Sequence, residues 1–293
     1  MRKIARLVIV LICIATPAFA KVKVVATLQW IGSIANEIGM EKVEITTLVK
    51  PNQDPHMIEA KPSMVLAVRK ADLLMYNGLD LEIGYLPVLI ESSRNPKVQP
   101  GQPGNFDCSR FVTVIEKPVS GDRSMGDVHP LGNPHYHFAA GNITKVAEGM
   151  AEVLSRLDPA NAEFYKANLA AFRERVRRKS EQWREMALKG KRFIAYHKYF
   201  EYLAAEYGFR IEGYVEPKPG IPPSAGYIER LIETIRQTRP DGILTTPYYG
   251  SREEEFLSRK TGIKVRVISH DVGATAGAKD WFSFMDQVLA SLR

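Results

Sequence analysis

The sequence predicts an α/β fold of two doubly wound parallel-sheet lobes joined by one long rigid helix. Three observations carry that expectation. Strands rich in β-branched residues alternate with helical patterns over residues 21–158. The same alternation returns over residues 190–293. Between them, residues 159–189 carry one unbroken helical stripe. Strands alternating with helices imply parallel sheets covered on both faces, and ligands of such folds bind beyond the carboxyl ends of the strands.

Residues 1–20 precede the fold. Arg2, Lys3 and Arg6 make a basic start, Leu7 to Ile14 is a short apolar run, and Ala18-Phe19-Ala20 fits the small-x-small rule for signal-peptidase cleavage. This reads as a secretory signal peptide, too short in its apolar part to span a bilayer. Ile12 stands where a small residue should precede a lipidated cysteine, which argues against a lipid on Cys13. Cleavage after Ala20 leaves a soluble periplasmic chain that begins at Lys21. The net charge is +7, and three of those charges lie in the leader, so the mature chain carries +4. Cys108 is then the one remaining cysteine; it reads as a buried small residue and is a poor basis for a thiolate metal site.

The elements follow in order. Lys21 to Leu28 is a valine-rich strand. Ile31, Ile34, Ala35 and Ile38 have helical spacing and stop at Gly39. Val43 to Val49 is a second strand, and Met64 to Lys70 a short helix behind Pro62. Ala71 to Tyr76 is a third strand closed by Asn77-Gly78. Leu81 to Ile90 reads as a helix, and the Pro- and Gly-rich stretch from Asn95 to Asp107 as a loop. Asn142 looks like the N-cap of a helix with Ile143, Val146, Met150, Val153 and Leu157 on one face. Asp158-Pro159 restarts the chain into a helix over Ala160 to Leu188, striped by Phe164, Phe172, Val176, Trp183 and Ala187. At about 1.5 Å per residue it is about 40 Å long, enough to run along two lobes.

In the second half, strands are expected at Arg192–Tyr196, Phe209–Val215, Gly242–Thr246 and Ile263–Ile268. Helices are expected at Lys198–Tyr207, from a Ser224 cap to Gln237, at Arg252–Thr261 and at Lys279–Leu292. The densest basic run, Arg173 to Lys179, is interspersed with Glu174 and followed by Glu181, as on a solvated helix face. No aromatic-plus-basic platform for nucleic acid is present.

The six histidines concentrate at junctions. His56 follows the second strand. His129, His135 and His137 share one loop before a helix. His197 follows the strand at Arg192–Tyr196, and His270 with Asp271 follows the strand ending near Ile268. Three neutral imidazoles and one carboxylate form a good tetrahedral set for zinc. Each histidine alone is more simply a hydrogen-bonded loop residue; the shared placement at strand ends in both halves raises the metal reading. A secreted zinc hydrolase is the competing class, but no His-Glu-x-x-His helix is present.

Three motifs then carry a resemblance. Asp54-Pro55-His56 with Glu59 and Pro62-Ser63 is the first, and Asn133-Pro134-His135 the second. The third is His197 followed by Phe200, Tyr202-Leu203-Ala204 and Tyr207-Gly208. Together they resemble the zinc/manganese substrate-binding proteins of ATP-driven metal importers, the ZnuA or TroA type of cluster A-I. The resemblance implies metal ligation by His56, His135, His197 and Asp271 in a cleft between the lobes, and no catalysis. It implies a zinc-like divalent cation as cargo, with Mn2+ the alternative; manganese members commonly use two histidines and two carboxylates, so the three histidines here favour Zn2+. It also implies a monomer that delivers to an ABC-type permease in the inner membrane, with a metallochaperone as a further partner.

The sequence departs from the pattern in two places. Tyr136 is followed by His137-Phe138-Ala139-Ala140 where the family has Leu, Asp and Pro. His270-Asp271-Val272-Gly273 is one residue tighter than the family's terminal motif, which makes His270 the rival of Asp271, with the unused one turned to solvent or to a neighbouring backbone. The long histidine- and acid-rich loop of many zinc members is missing, and His129 and His137 read as supporting or surface groups. Intact-mass measurement of protein recovered from the periplasm should show Lys21 as the first residue; a retained leader or a lipid on Cys13 would overturn that reading.

Overall fold

The computed structural model describes residues 21–117, 129–218, 220–250 and 252–293; the expected leader and its cleavage point lie outside them. Among the described residues, two four-stranded parallel sheets form the two lobes. Strands β1 (Val22–Ala26), β2 (Val43–Thr47), β3 (Leu73–Tyr76) and β4 (Asn105–Asp107) pair in the order β2-β1-β3-β4. Strands β5 (Arg192–Ala195), β6 (Arg210–Tyr214), β7 (Gly242–Thr245) and β8 (Val265–Val267) pair as β6-β5-β7-β8. The two orders are equivalent. In each sheet the strand order reverses beside the first strand, which opens a crevice at the carboxyl ends.

Helices α1 (Gln29–Gly39), α2 (Pro62–Lys70), α3 (Leu86–Ser93) and α4 (Ala140–Leu157) belong to the first half, and α5 (Ala162–Arg184) links the halves. Helices α6 (Glu201–Tyr207), α7 (Ala225–Thr238) and α8 (Arg252–Thr261) accompany the second sheet. The last helix, α9 (Trp281–Ser291), turns back to pack on α5 and α1. The apolar spacing seen in α1 is honoured: Trp30, Ile31, Ile34, Ala35 and Ile38 are all buried. Ser224 caps α7 through the Tyr227 N–H, and Asp280 with Ser283 forms a reciprocal capping box on α9.

Several boundaries differ from expectation, and four of the differences bear on the fold. Helix α4 begins at Ala140, and Asn142 lies inside it; its Oδ1 accepts the Thr113 N–H at 3.0 Å instead of capping. Helix α3 begins at Leu86 because the preceding residues form a turn around the buried Glu82 carboxylate. Strand β4 exists inside the expected loop because its backbone pairs with β3. Helix α5 stops at Arg184, and Ala187 (φ 55°) and Gly190 (φ 85°) turn the chain toward β5.

With 23 residues, α5 is about 35 Å long. It holds both ends of the molecule. Arg175 forms ion pairs with Glu37 on α1 (3.0 Å) and Asp280 at the start of α9 (3.1 Å). Trp183 donates its indole N–H to Asp286 on α9 at 2.7 Å. Phe172 packs against Trp281 and Phe282, with ring centroids 6.4 and 5.3 Å away. One continuous core therefore runs from the first sheet through α5 to α9, and a smaller cluster around Ile194, Leu231, Ile243 and Leu257 closes the far side of the second sheet. Phe172→Ala should cost about 3–5 kcal/mol in urea unfolding, as truncations of large buried aromatics do; a loss under about 1 kcal/mol would show that this seam does not hold the lobes together.

Candidate metal centre

The carboxyl ends of both sheets face one crevice, and three histidines meet there. One ring nitrogen each from His56, His135 and His197 lies within 4.8 Å of the others, and among the described residues this is the close group of potential metal ligands. Ring centroids are 5.2 Å apart for His56–His135, 5.3 Å for His56–His197 and 5.6 Å for His135–His197. A tetrahedral ion with bonds of about 2.0–2.1 Å needs ligand nitrogens about 3.3 Å apart, so a small closure completes the geometry.

Local structure aims each ring. Asp54 caps a short 3-10 turn, Pro55–Met57, by accepting the His56 N–H at 2.9 Å. The same Oδ1 lies 2.7 Å from His56 Nδ1, and His56 Nε2 is buried without a partner. His197 Nδ1 lies 2.9 Å from Glu216 Oε2. His135 follows Asn133-Pro134; its N–H donates to Asn133 Oδ1 at 2.9 Å, and Asn133 Nδ2 bonds to Glu116, to the Lys198 carbonyl and to Glu201. The Tyr199 ring stacks on His135 at 3.8 Å, and His135 Nε2 is buried and unpartnered. Carboxylates on the far nitrogens of His56 and His197 fix the tautomer and raise the basicity of the nitrogen left free, as such partners do at metal sites.

Charge follows burial. Burial first, then the neighbouring imidazoles, holds His135 well below the ordinary histidine range. Burial also lowers His197, against the opposing pull of Glu216. Burial would raise the Asp54 carboxyl, but its bonds from His56 outweigh that and hold it down. His135 and His197 are therefore neutral and ready to donate at neutral pH.

The remaining predicted groups are placed differently. The structure holds Asp271 against α1 and outside the three-imidazole group. Its Oδ2 accepts the Gln29 N–H at 3.1 Å, and its Oδ1 accepts the N–H groups of Trp30 (2.8 Å) and Val272 (2.7 Å). Its oxygens thus serve the positive end of a helix of the other lobe. Burial pushes the carboxyl up to about 7, against those three amides. His270 is buried, not turned to solvent; it contacts the Gln53 backbone and meets the edge of Tyr248 at 4.5 Å. His137 is a core residue: it stacks with Trp30 and Phe284, and its Nε2 bonds to the His270 carbonyl at 2.9 Å. His129 is neither a surface group nor a member of the close trio; its ring lies 5.3 Å from that of His56.

Comparison with known proteins shows the family. Residues 24–293 match the family described as zinc-uptake complex component A, periplasmic. The chain belongs to this family. It is a periplasmic metal-binding protein that delivers a divalent metal to an ABC-type importer, and it is not an enzyme. The chain is 27% identical over 252 residues to the manganese ABC transporter substrate-binding lipoprotein PsaA of Streptococcus anginosus, covering 84% of this chain and 78% of that one. It is 25% identical over 250 residues to the iron-binding protein YfeA of Yersinia pestis, covering 83% and 75%. In fold it is similar to a crystal structure of ZnuA, with TM-score 0.76, 23% identity and coverage of 92% and 96%. It is likewise similar in fold to a manganese-bound periplasmic metal binding protein from candidatus liberibacter asiaticus, with TM-score 0.74, 20% identity and coverage of 92% and 98%.

Within the family's fold, the residue that sequence reasoning missed is Glu216. Its signal was the parallel register of β5 and β6: Ala195 pairs with Tyr214, so continuing two residues along both strands sets His197 beside Glu216. The depressed His135 and His197 also set the proton balance. Their affinity for protons falls on folding, so competition by protons at these two nitrogens begins only below the usual histidine range. Three ordinary imidazoles of pKa about 6.5 would release about 1.5 protons on binding a metal at pH 6.5. Calorimetry in buffers of different ionisation enthalpy should give fewer protons than that here; release of about 1.5 would contradict the burial argument.

Proposed function

We propose that the chain captures one divalent metal ion between His56, His135 and His197, and that zinc is its cargo. The observation that carries this reading is the donor set: three imidazoles converge, those of His135 and His197 buried and that of His56 half-buried, and among the described residues no carboxylate joins them. Imidazole-rich tetrahedral sites suit zinc, whereas manganese prefers oxygen ligands. Manganese is the second reading, favoured by the manganese transporter relatives. It would require Asp271 to leave the α1 amides and enter the ligand group.

Capture needs no covalent chemistry. Neutral imidazoles replace water on the ion, and Asp54 and Glu216 offset part of its charge through the rings they hold. Helix α5 is tied to α1 and to α9 at Arg175, which limits rigid-body opening of the lobes. Release to the membrane permease then proceeds by local rearrangement of the loops bearing His56 and His135.

Metal analysis and competition calorimetry on the stripped mature chain should give one tight zinc per molecule, preferred over manganese. Alanine at His56, His135 or His197 should each remove tight binding, while His137→Ala should cost at most about 10- to 100-fold, as for a residue that supports a ligand from behind. Preference for manganese under competition would reverse the choice of cargo. Equal losses at all four histidines would dismantle the ligand assignment.

A further inference from the structure

His129 lies on the chain that leads into the Asn133-Pro134-His135 turn, and its ring stands beside the three-imidazole group. Its centroid is 5.3 Å from that of His56 and 6.3 Å from that of His135. Its Nε2 is sealed from solvent and has no hydrogen-bond partner. Its other nitrogen is bonded to the backbone of Leu79. One nitrogen fixed by the backbone and the other bare, buried and close to further imidazoles is the arrangement of a metal ligand.

The partner at Leu79 is itself held in an uncommon conformation. Gly78, Leu79 and Asp80 all have positive φ, at 80°, 54° and 62°. Two of these are not glycine, and such residues enter that region only where the surroundings enforce it. The buried Glu82 carboxylate enforces it here. It accepts the N–H groups of Asn77 (2.6 Å) and Gly78 (3.0 Å) and the Thr27 hydroxyl (2.7 Å). Asn77 in turn donates to the Pro134 carbonyl at 3.1 Å, so a single turn steadies both His129 and the His135 loop.

We propose that His129 is the fourth metal ligand and completes a four-imidazole shell that selects zinc over manganese. The assignment rests on metal capture by His56, His135 and His197. It fills the position that the resemblance reserves for a carboxylate, which Asp271 leaves by binding the α1 amides. A short inward movement of its loop brings Nε2 to the ion, while the opposite nitrogen keeps its proton and its bond to Leu79. A nitrogen-only shell offers manganese none of the oxygen donors it prefers.

X-ray absorption on the zinc-loaded mature chain should show four imidazole nitrogens around the metal, and three with one oxygen in His129→Ala. In competition with a chelator, His129→Ala should weaken zinc by more than the roughly 10- to 100-fold expected for a merely supporting group. Manganese affinity should change far less, so selectivity narrows. Asp271→Asn should lose less zinc affinity than His129→Ala, and His129→Cys, which supplies a thiolate, should recover most of the loss. Circular dichroism on each variant separates misfolding from ligand loss. Three imidazoles and a carboxylate in the unaltered chain would overturn the assignment. So would His129→Ala keeping full affinity while His56→Ala loses it, a result that leaves metal capture standing. Failure of the unaltered chain to bind zinc would overturn both.

Discussion

Imidazole rings whose nitrogens lie within 4.8 Å of one another repel strongly once protonated, because two unit charges at that range in a poorly solvated site cost several kcal/mol, about 3–4 kcal/mol at an effective dielectric of ~20. Protonation of more than one ring is therefore disfavoured, and a cation can take the place of the protons. Much of the surrounding structure serves that condition. Tyr199 covers one face of His135, and the carboxylates of Asp54 and Glu216 take the outward nitrogens of His56 and His197. The protein thus spends folding energy to keep His135 and His197 as unprotonated donors, which is the state a cation requires.

The two halves contribute to this crevice in different currencies. The second sheet supplies His197 and the first supplies His56, and each comes with its carboxylate nearby. Asp271 crosses between the halves outside the three-imidazole group: it comes after the last strand of the second sheet and grips the first turn of α1 in the first. A carboxylate pushed up to about 7 by burial is a costly clamp, and three backbone amides are what make it tolerable. The lobes therefore meet through a helix N-terminus on one side of the crevice and through imidazoles on the other.

Much of this was legible in the residues alone. The two alternating halves, the linking helix, and the placement of His56 and His197 after strands and of His135 in a loop before α4 all follow from periodicity and motif. What stayed hidden depended on long-range contact. Asn105-Phe106-Asp107 is a strand only because β3 lies beside it. Leu81 reads as the start of a helix, but the neighbouring Glu82 collects the amides of residues 77 and 78 and makes a turn instead. Asp271 matched a ligand motif, and only the fold reveals that the α1 amides lie within its reach. His129 and His137 looked alike in sequence; one stands over the crevice and the other is stacked between Trp30 and Phe284 in the core.

The return of α9 to the first half bears on how the molecule assembles. Trp281, Phe282 and Phe284 are fully buried, and the Trp281 N–H reaches Ser33 on α1, 248 residues away in sequence. The first lobe consequently lacks part of its interior until the final dozen residues arrive. The packing of the first lobe is thereby coupled to a helix that follows the second, so the stability of the two halves is shared where chains of this size usually fold lobe by lobe.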